Sequence, residues 1–391
     1  MDHSPATRNA LIELVRQWHQ DATPWVPSGT GSRLHWGAVI DADPDVLSCR
    51  ALDRIIDHAV DDLTITVEAG LSLMALQELL AEHGQWLPVD WPRGTDPQQL
   101  QSAGSIGGLV ARGLAGGLRQ RHLGIRDQII GIGLLRADGV EAHAGGRVVK
   151  NVAGYDLMRL LCGSWGSLAL ITELTLKVQP IRPAHGSLHL GGALDDLDAC
   201  RASLLRSSLT PERCDWWNDG EGSWRLRLVV SSVSDQAVQD QLSRLASLGQ
   251  QHQLSAEQHP CDNPLNSGRV AEAMHWLVRV VLPPASLASL LSSAELRQLQ
   301  GWHWDLAAGA GCGDGWQPEP TSATTTAAVV KLRHKVEALG GRLTVLQQPK
   351  ALAERMPAWV DAPARTVIEA VKQQFDPKHQ LSPGRLPGVA G

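Results

Sequence analysis

Apolar positions at Leu11, Ile12, Leu14, Val15 and Trp18 recur at the spacing of one helix face and predict an amphipathic helix near the start of the chain. Residues 24–37, PWVPSGTGSRLHWG, then read as a short apolar piece followed by a turn-rich loop. Residues 64–67 alternate as a strand does, Glu68 and Gly70 turn the chain, and residues 71–83 return to helical spacing. Residues 84–97 hold too much proline and glycine for a regular element. Past Gly104, a glycine-tolerant helical piece gives way to strands at residues 129–135 and 168–178, the second rich in β-branched residues.

The prolines of residues 180–183 (PIRP) interrupt this pattern and mark a boundary. Beyond them, strand-like pieces at residues 186–190, 224–233, 276–281 and 301–306 alternate with helical pieces at residues 194–205, 234–248, 284–299 and 327–339. That alternation predicts an antiparallel sheet covered by helices. Residues 312–326 read as loop, and residues 366–385 as a helix ending in FDPKHQLSPGR. The expectation is an α+β protein with a first domain over residues 1–180, a second over 181–345, and a tail, 346–391, that returns to the first.

Length supports the division, because 391 residues exceed what one hydrophobic core usually organises. The longest apolar stretch falls far short of the roughly 20 residues that cross a bilayer. The first residues lack the basic region and apolar core of a secretory leader, so a cytoplasmic location is expected. A net charge of −6 with no run of Lys and Arg argues against nucleic acid as a partner. Six cysteines occur with no C-x-x-C pair, which argues against zinc or an iron–sulfur centre and for free, mostly buried thiols. Electrons handled by this chain would then travel on an organic cofactor.

Two glycine loops carry the candidate chemistry. Pro27, Ser28, Gly29, Thr30, Gly31 and Ser32 combine hydroxyls with main-chain N–H groups that can approach a pyrophosphate; the bland alternative is a surface turn. Gly104, Ser105, Ile106, Gly107, Gly108 and Gly113 would let backbone lie against a flat ring, or else form an ordinary tight turn. Neither G-x-x-x-x-G-K-[ST] nor G-x-G-x-x-G after a strand occurs, which disfavours a P-loop or a Rossmann nicotinamide enzyme.

The strings PSGTGS, SIGGLVARGLAGG, GIRDQIIGIGLLRADG, GGRVVKNVAGYDLMRLLCGSWGSLALITELTLKV and FDPKHQLSPGR resemble the vanillyl-alcohol-oxidase (PCMH-type) family of FAD-binding oxidoreductases, and within it the FAD-binding subunits of glycolate dehydrogenases. The resemblance is strong over the first 180 residues and the tail, and weak between. It implies that residues 27–32 surround the FAD pyrophosphate. It also implies that residues 104–108 with Gly113 lie beside the flavin and ribityl chain, and that residues 166–172, including Gly166 and Ile171, approach the adenine side. Relatives with covalent flavin carry a histidine in the first loop; here His35 falls beyond it, so noncovalent FAD is implied.

The H-G-D-G-N and G-E-H-G strings of self-sufficient hydroxy-acid oxidases are absent, and no catalytic base or metal ligand is assigned. Isolated histidines such as His275, His303 and His334 are read as packed or exposed. Arg147, Lys150, Asn151 and Tyr155 are the polar candidates near the flavin, with holding FAD or meeting a partner as the alternatives. The implied activity is oxidation of glycolate, or of a similar 2-hydroxy acid such as D-lactate, with electrons passed to a second FAD subunit and an iron–sulfur subunit. A noncatalytic structural subunit and a self-sufficient oxidase are the alternatives.

Overall fold

The computed structural model describes residues 1–40, 43–96, 98–99, 102–146, 156–260, 274–319, 325–350, 352 and 355–390. The helix Arg8–Asp21 forms as its spacing predicts, with the Thr7 hydroxyl accepting the first-turn N–H of Ala10. Its face of Leu11, Ile12, Val15 and Trp18 is buried. That face packs against Trp25 and Leu47 of a small parallel sheet, whose strands run in the order Asp2–His3, Asp45–Ser48, Trp25–Ser28.

A five-stranded antiparallel sheet, in the order Ile55–Ala59, Thr64–Glu68, Leu170–Lys177, Ile129–Leu135, Glu141–Gly145, holds the second core. The helices Leu73–Glu82 and Ile106–Arg112 pack their apolar residues into it. Strands Thr64–Glu68 and Ile129–Leu135 are buried on nearly every residue. This is why Ile129–Leu135 reads as a continuous apolar run.

An eight-stranded antiparallel sheet follows, in the order Ser255–His259, Ala184–Gly191, Arg225–Ser232, Arg213–Asn218, His303–Ala307, Cys312–Gln317, Trp276–Val281, Arg342–Gln347. Its largest core joins Trp216, Trp276 and Trp304 to helices Leu194–Leu205, Asp235–Gln251 and Thr326–Ala338 on one face. Among the described residues no helix is long and apolar enough to cross a membrane.

Two expectations from the pattern are overturned. Residues 312–317 are a strand, Cys312–Gln317, although its glycines suggest loop. Those glycines make room for the neighbouring strand: a Cβ on Gly315 would sit 2.3 Å from the Trp304 ring. The helix expected over residues 284–299 is broken into a 3-10 turn, Pro284–Ser286, and two short helices, Leu287–Leu291 and Ala294–Arg297, because the Ser293 hydroxyl caps a new start at Leu296 N–H.

The tail is sewn back onto the first loop. Lys372, on the helix Arg365–Phe375, donates to the Asp376 carboxylate at 2.6 Å and to the carbonyls of Ser167 and Leu381, both at 2.7 Å. Trp25 and residues 380–382 exchange main-chain bonds, Trp25 N–H to Gln380 O and Ser382 N–H to Trp25 O, each 2.8 Å. Lys372→Met would leave Asp376, fully buried, without its cation. We expect urea denaturation to show a loss of roughly 3–5 kcal/mol, the range for breaking one side of a buried pair.

Candidate functional site

The strand Trp25–Ser28 ends where the Ile106–Arg112 helix begins, and a cleft opens between them. Pro27, Ser28, Gly29, Thr30, Gly31 and Ser32 line it together with Gly104, Ser105, Gly107, Gly108, Gly166 and Ile171. Ile106 and Gly113 do not: Ile106 is buried in the core and Gly113 ends the helix in a left-handed conformation, φ 62°. The two loops touch at Gly29, where a Cβ would lie 1.9 Å from the Ser105 hydroxyl oxygen. No residue larger than glycine fits there without a shift.

The loops differ in what they offer. Thr30, Gly31 and Ser32 have N–H groups that find no acceptor among the described residues. In the second loop, Ile106 N–H donates to Leu71 O, Gly107 N–H to Ala69 O, and Gly108 N–H to the Ser105 hydroxyl. Its donors are spent on the fold, so it presents a flat wall and the first loop presents the anion donors.

Three arginines also line the cleft. Arg33 is buried and donates to Ser102 O at 2.5 Å, to Arg93 O at 2.8 Å and to the hydroxyl oxygens of Thr95 and Ser32, both at 3.1 Å. Arg385 comes from the tail and donates to the carbonyls of Leu34, Trp36 and Ala38. Arg112 is partly buried, and its Nη2 is sealed from solvent with no hydrogen-bond partner. Burial, with the Arg112 charge nearby, pulls Arg33 down to about 9. Burial lowers Arg112 to about 10, helped by Arg385, and lowers Arg385 to about 10. The Arg33 and Arg385 guanidiniums are solvated by carbonyls and hydroxyls in place of carboxylates, so a multiply charged anion is the group the cleft suits.

Residues 3–145 match the family described as FAD binding domain. The first part of the chain is an FAD binding domain. The family anticipated from the glycine loops is therefore the one matched, and FAD is its cofactor.

Among curated proteins, glycolate oxidase subunit GlcE of Escherichia coli (strain K12) is 36% identical over 171 residues, 44% of this chain and 47% of that one. D-2-hydroxyglutarate dehydrogenase of Xanthomonas citri pv. viticola is 30% identical over 218 residues, 55% of this chain and 44% of that one. In both, the matched stretch is less than half of the relative. A solved alkyldihydroxyacetonephosphate synthase superposes with TM-score 0.70 over 98% of this chain and 77% of that one, at 16% identity, a likeness of fold.

A second, narrow chamber adjoins the FAD binding domain's cleft, and Arg112 lines both. Its far wall is the open face of the eight-stranded sheet. Arg213, Asp305, Asp314 and Arg279 stand on four adjacent strands there. Asp305 and Asp314 face each other directly across two strands, a repulsive register. Arg93, from the loop before the Ile106–Arg112 helix, enters between them: it lies 2.7 Å from Asp305 and 3.5 Å from Asp314, with its guanidinium 4.1 Å above the Trp316 ring. Burial disfavours the Asp305 charge, but Arg227, Arg93 and Arg213 outweigh it and hold that carboxyl below the usual range.

Among the described residues, no histidine lines either cavity. His275 and His334 lie elsewhere, and His303 packs edge-on against Trp316. Arg147, Lys150, Asn151 and Tyr155 lie outside the described residues. The five cysteines described are free thiols, four of them buried. The arginine site escapes sequence reasoning because Arg33, Arg112 and Arg385 share no local pattern; Arg112 lies within SIGGLVARGLAGG and Arg385 ends FDPKHQLSPGR, but neither string sets its arginine apart.

The contact at Gly29 yields a test. Gly29→Ala should lower the urea midpoint by the equivalent of about 1–3 kcal/mol through overpacking against Ser105. Gly29→Ala combined with Ser105→Ala should cost less than the two single changes added together, since the hydroxyl that clashes is gone.

Proposed function

We propose that this chain is the FAD-binding subunit of a 2-hydroxy-acid dehydrogenase, acting on glycolate or a similarly small acid in the cytoplasm. Electrons would pass to a second flavin subunit and an iron–sulfur subunit. The names of the relatives above support the reaction class. What carries the cofactor assignment at residue level is the pair of carboxylate-free arginines, Arg33 and Arg385, beside a loop of free N–H groups.

In this reading Thr30, Gly31 and Ser32 donate main-chain N–H bonds to the pyrophosphate, and Arg33 and Arg385 supply the field that holds it. Gly104, Gly107 and Gly108 give a flat wall for the ring system and ribityl chain, and Gly166 to Ile171 flanks the adenine end. FAD, when bound, would supply the two-electron acceptor for oxidation of a 2-hydroxy acid to its 2-oxo acid. The chain's own part is to bind, orient and exclude water. We place the division between the FAD binding domain and the second domain near residue 180, with the eight-stranded sheet as a cap whose last strand ends at Gln347.

Visible spectra of the purified chain, taken anaerobically with FAD and then glycolate, test the reading. Flavin bands that stay with the protein are expected. A folded chain that retains no flavin would sink it, and bleaching by glycolate without partners would make it self-sufficient.

Affinity for FAD should also depend on pH. Arg33 titrates near 9 in the free cleft, and a bound anion raises that value, so affinity is full below about pH 9 and declines as pH rises through it. Arg33→Met should weaken FAD binding about 10- to 100-fold, read by fluorescence titration.

A further inference from the structure

The second chamber has an unbalanced charge that identifies its ligand. Arg93 is paired with Asp305 and Asp314, Arg279 with Asp314, and Arg213 with Asp90 and Asp215. Arg279 grips Asp314 through both oxygens, at 2.7 and 2.9 Å. Arg112 also lines this chamber, and among the described residues no carboxylate lies within ion-pair distance of it. Among the described residues its guanidinium makes no hydrogen bond; around it stand the Trp36 ring, 5.8 Å from its guanidinium carbon, and the like charges of Arg33 and Arg385.

Four arginines against three aspartates therefore line the space, and the surplus positive charge is the one side chain shared with the flavin cleft. Trp36, Trp91, Leu109 and Leu114 make the rest of the wall apolar.

We propose that this chamber takes a small monoanionic carboxylate and that Arg112 is the anchor for its carboxylate group. The inference rests on the flavin reading above and adds to it the place and the residue that select the substrate. A single unpaired guanidinium matches a single carboxylate, ideally in two parallel bonds. A phosphate dianion would bring a charge that Asp90, Asp305 and Asp314 repel. Arg112 sits four residues after Gly108 on the same helix face, so a carboxylate held by it lies beside the wall where the flavin ring would rest. The aspartates opposite offer acceptors for a hydroxyl on the next carbon.

Calorimetric titration of the FAD-loaded chain with glyoxylate tests this. Wild-type protein should bind it, Arg112→Met should weaken binding about 10- to 100-fold at unchanged flavin occupancy, and Arg112→Lys should retain an intermediate affinity. Arg112→Lys also guards against a methionine variant that fails to fold.

Equal affinity in wild type and Arg112→Met overturns the proposal, as does an FAD-loaded wild type that binds no glyoxylate. Loss of FAD from Arg112→Met, in step with loss of glyoxylate, overturns it too and assigns Arg112 to the pyrophosphate. A wild type that holds no flavin at all instead defeats the cofactor reading, and this inference with it.

Discussion

A guanidinium withdrawn from water must be given acceptors, and the centre of this chain is arranged around that requirement. On the sheet side the arginines are met by aspartates of the same sheet. On the loop side Arg33 and Arg385 are met by backbone carbonyls, which satisfy hydrogen bonds but leave the charge uncancelled. The first arrangement fixes two layers against each other. The second stores a positive potential at the cleft. Arg93 links the two regimes, since its own carbonyl accepts from Arg33 while its guanidinium holds Asp305.

This linkage gives the loop before the Ile106–Arg112 helix a role that its composition hides. Residues 90–96 are irregular because they serve as a connector of charges: Asp90 accepts N–H bonds from Gly116 and Leu118 and pairs with Arg213, while Thr95 accepts from Arg33. A regular helix or strand would present such groups on one side. Here they reach the FAD binding domain's cleft on one side and the eight-stranded sheet on the other.

Much of the frame was legible because burial wrote it into local pattern. The N-terminal helix follows from five apolar positions, and the strand Ile129–Leu135 from a run bounded by polar turns. The strand Cys312–Gln317 was illegible because its glycines answer to Trp304, a residue on the neighbouring strand. The glycine loops announced a cofactor, yet which of their N–H groups remained free depended on Leu71 and Ala69, which no motif includes. The arginine cluster lay beyond reach for the same reason: charge convergence is a property of the folded chain, and sequence neighbours carry no trace of it.

The attachment of the tail to the first loop has a consequence for how the protein is made. Arg385 grips carbonyls 347 to 351 residues upstream, and the strand Trp25–Ser28 finds its outer partner only in residues 380–382. Contacts of such sequence separation form late in folding. A ribosome must have passed residue 385 before the cleft can close, so a chain stalled short of that point would emerge with its loops in place and no finished seat for the cofactor.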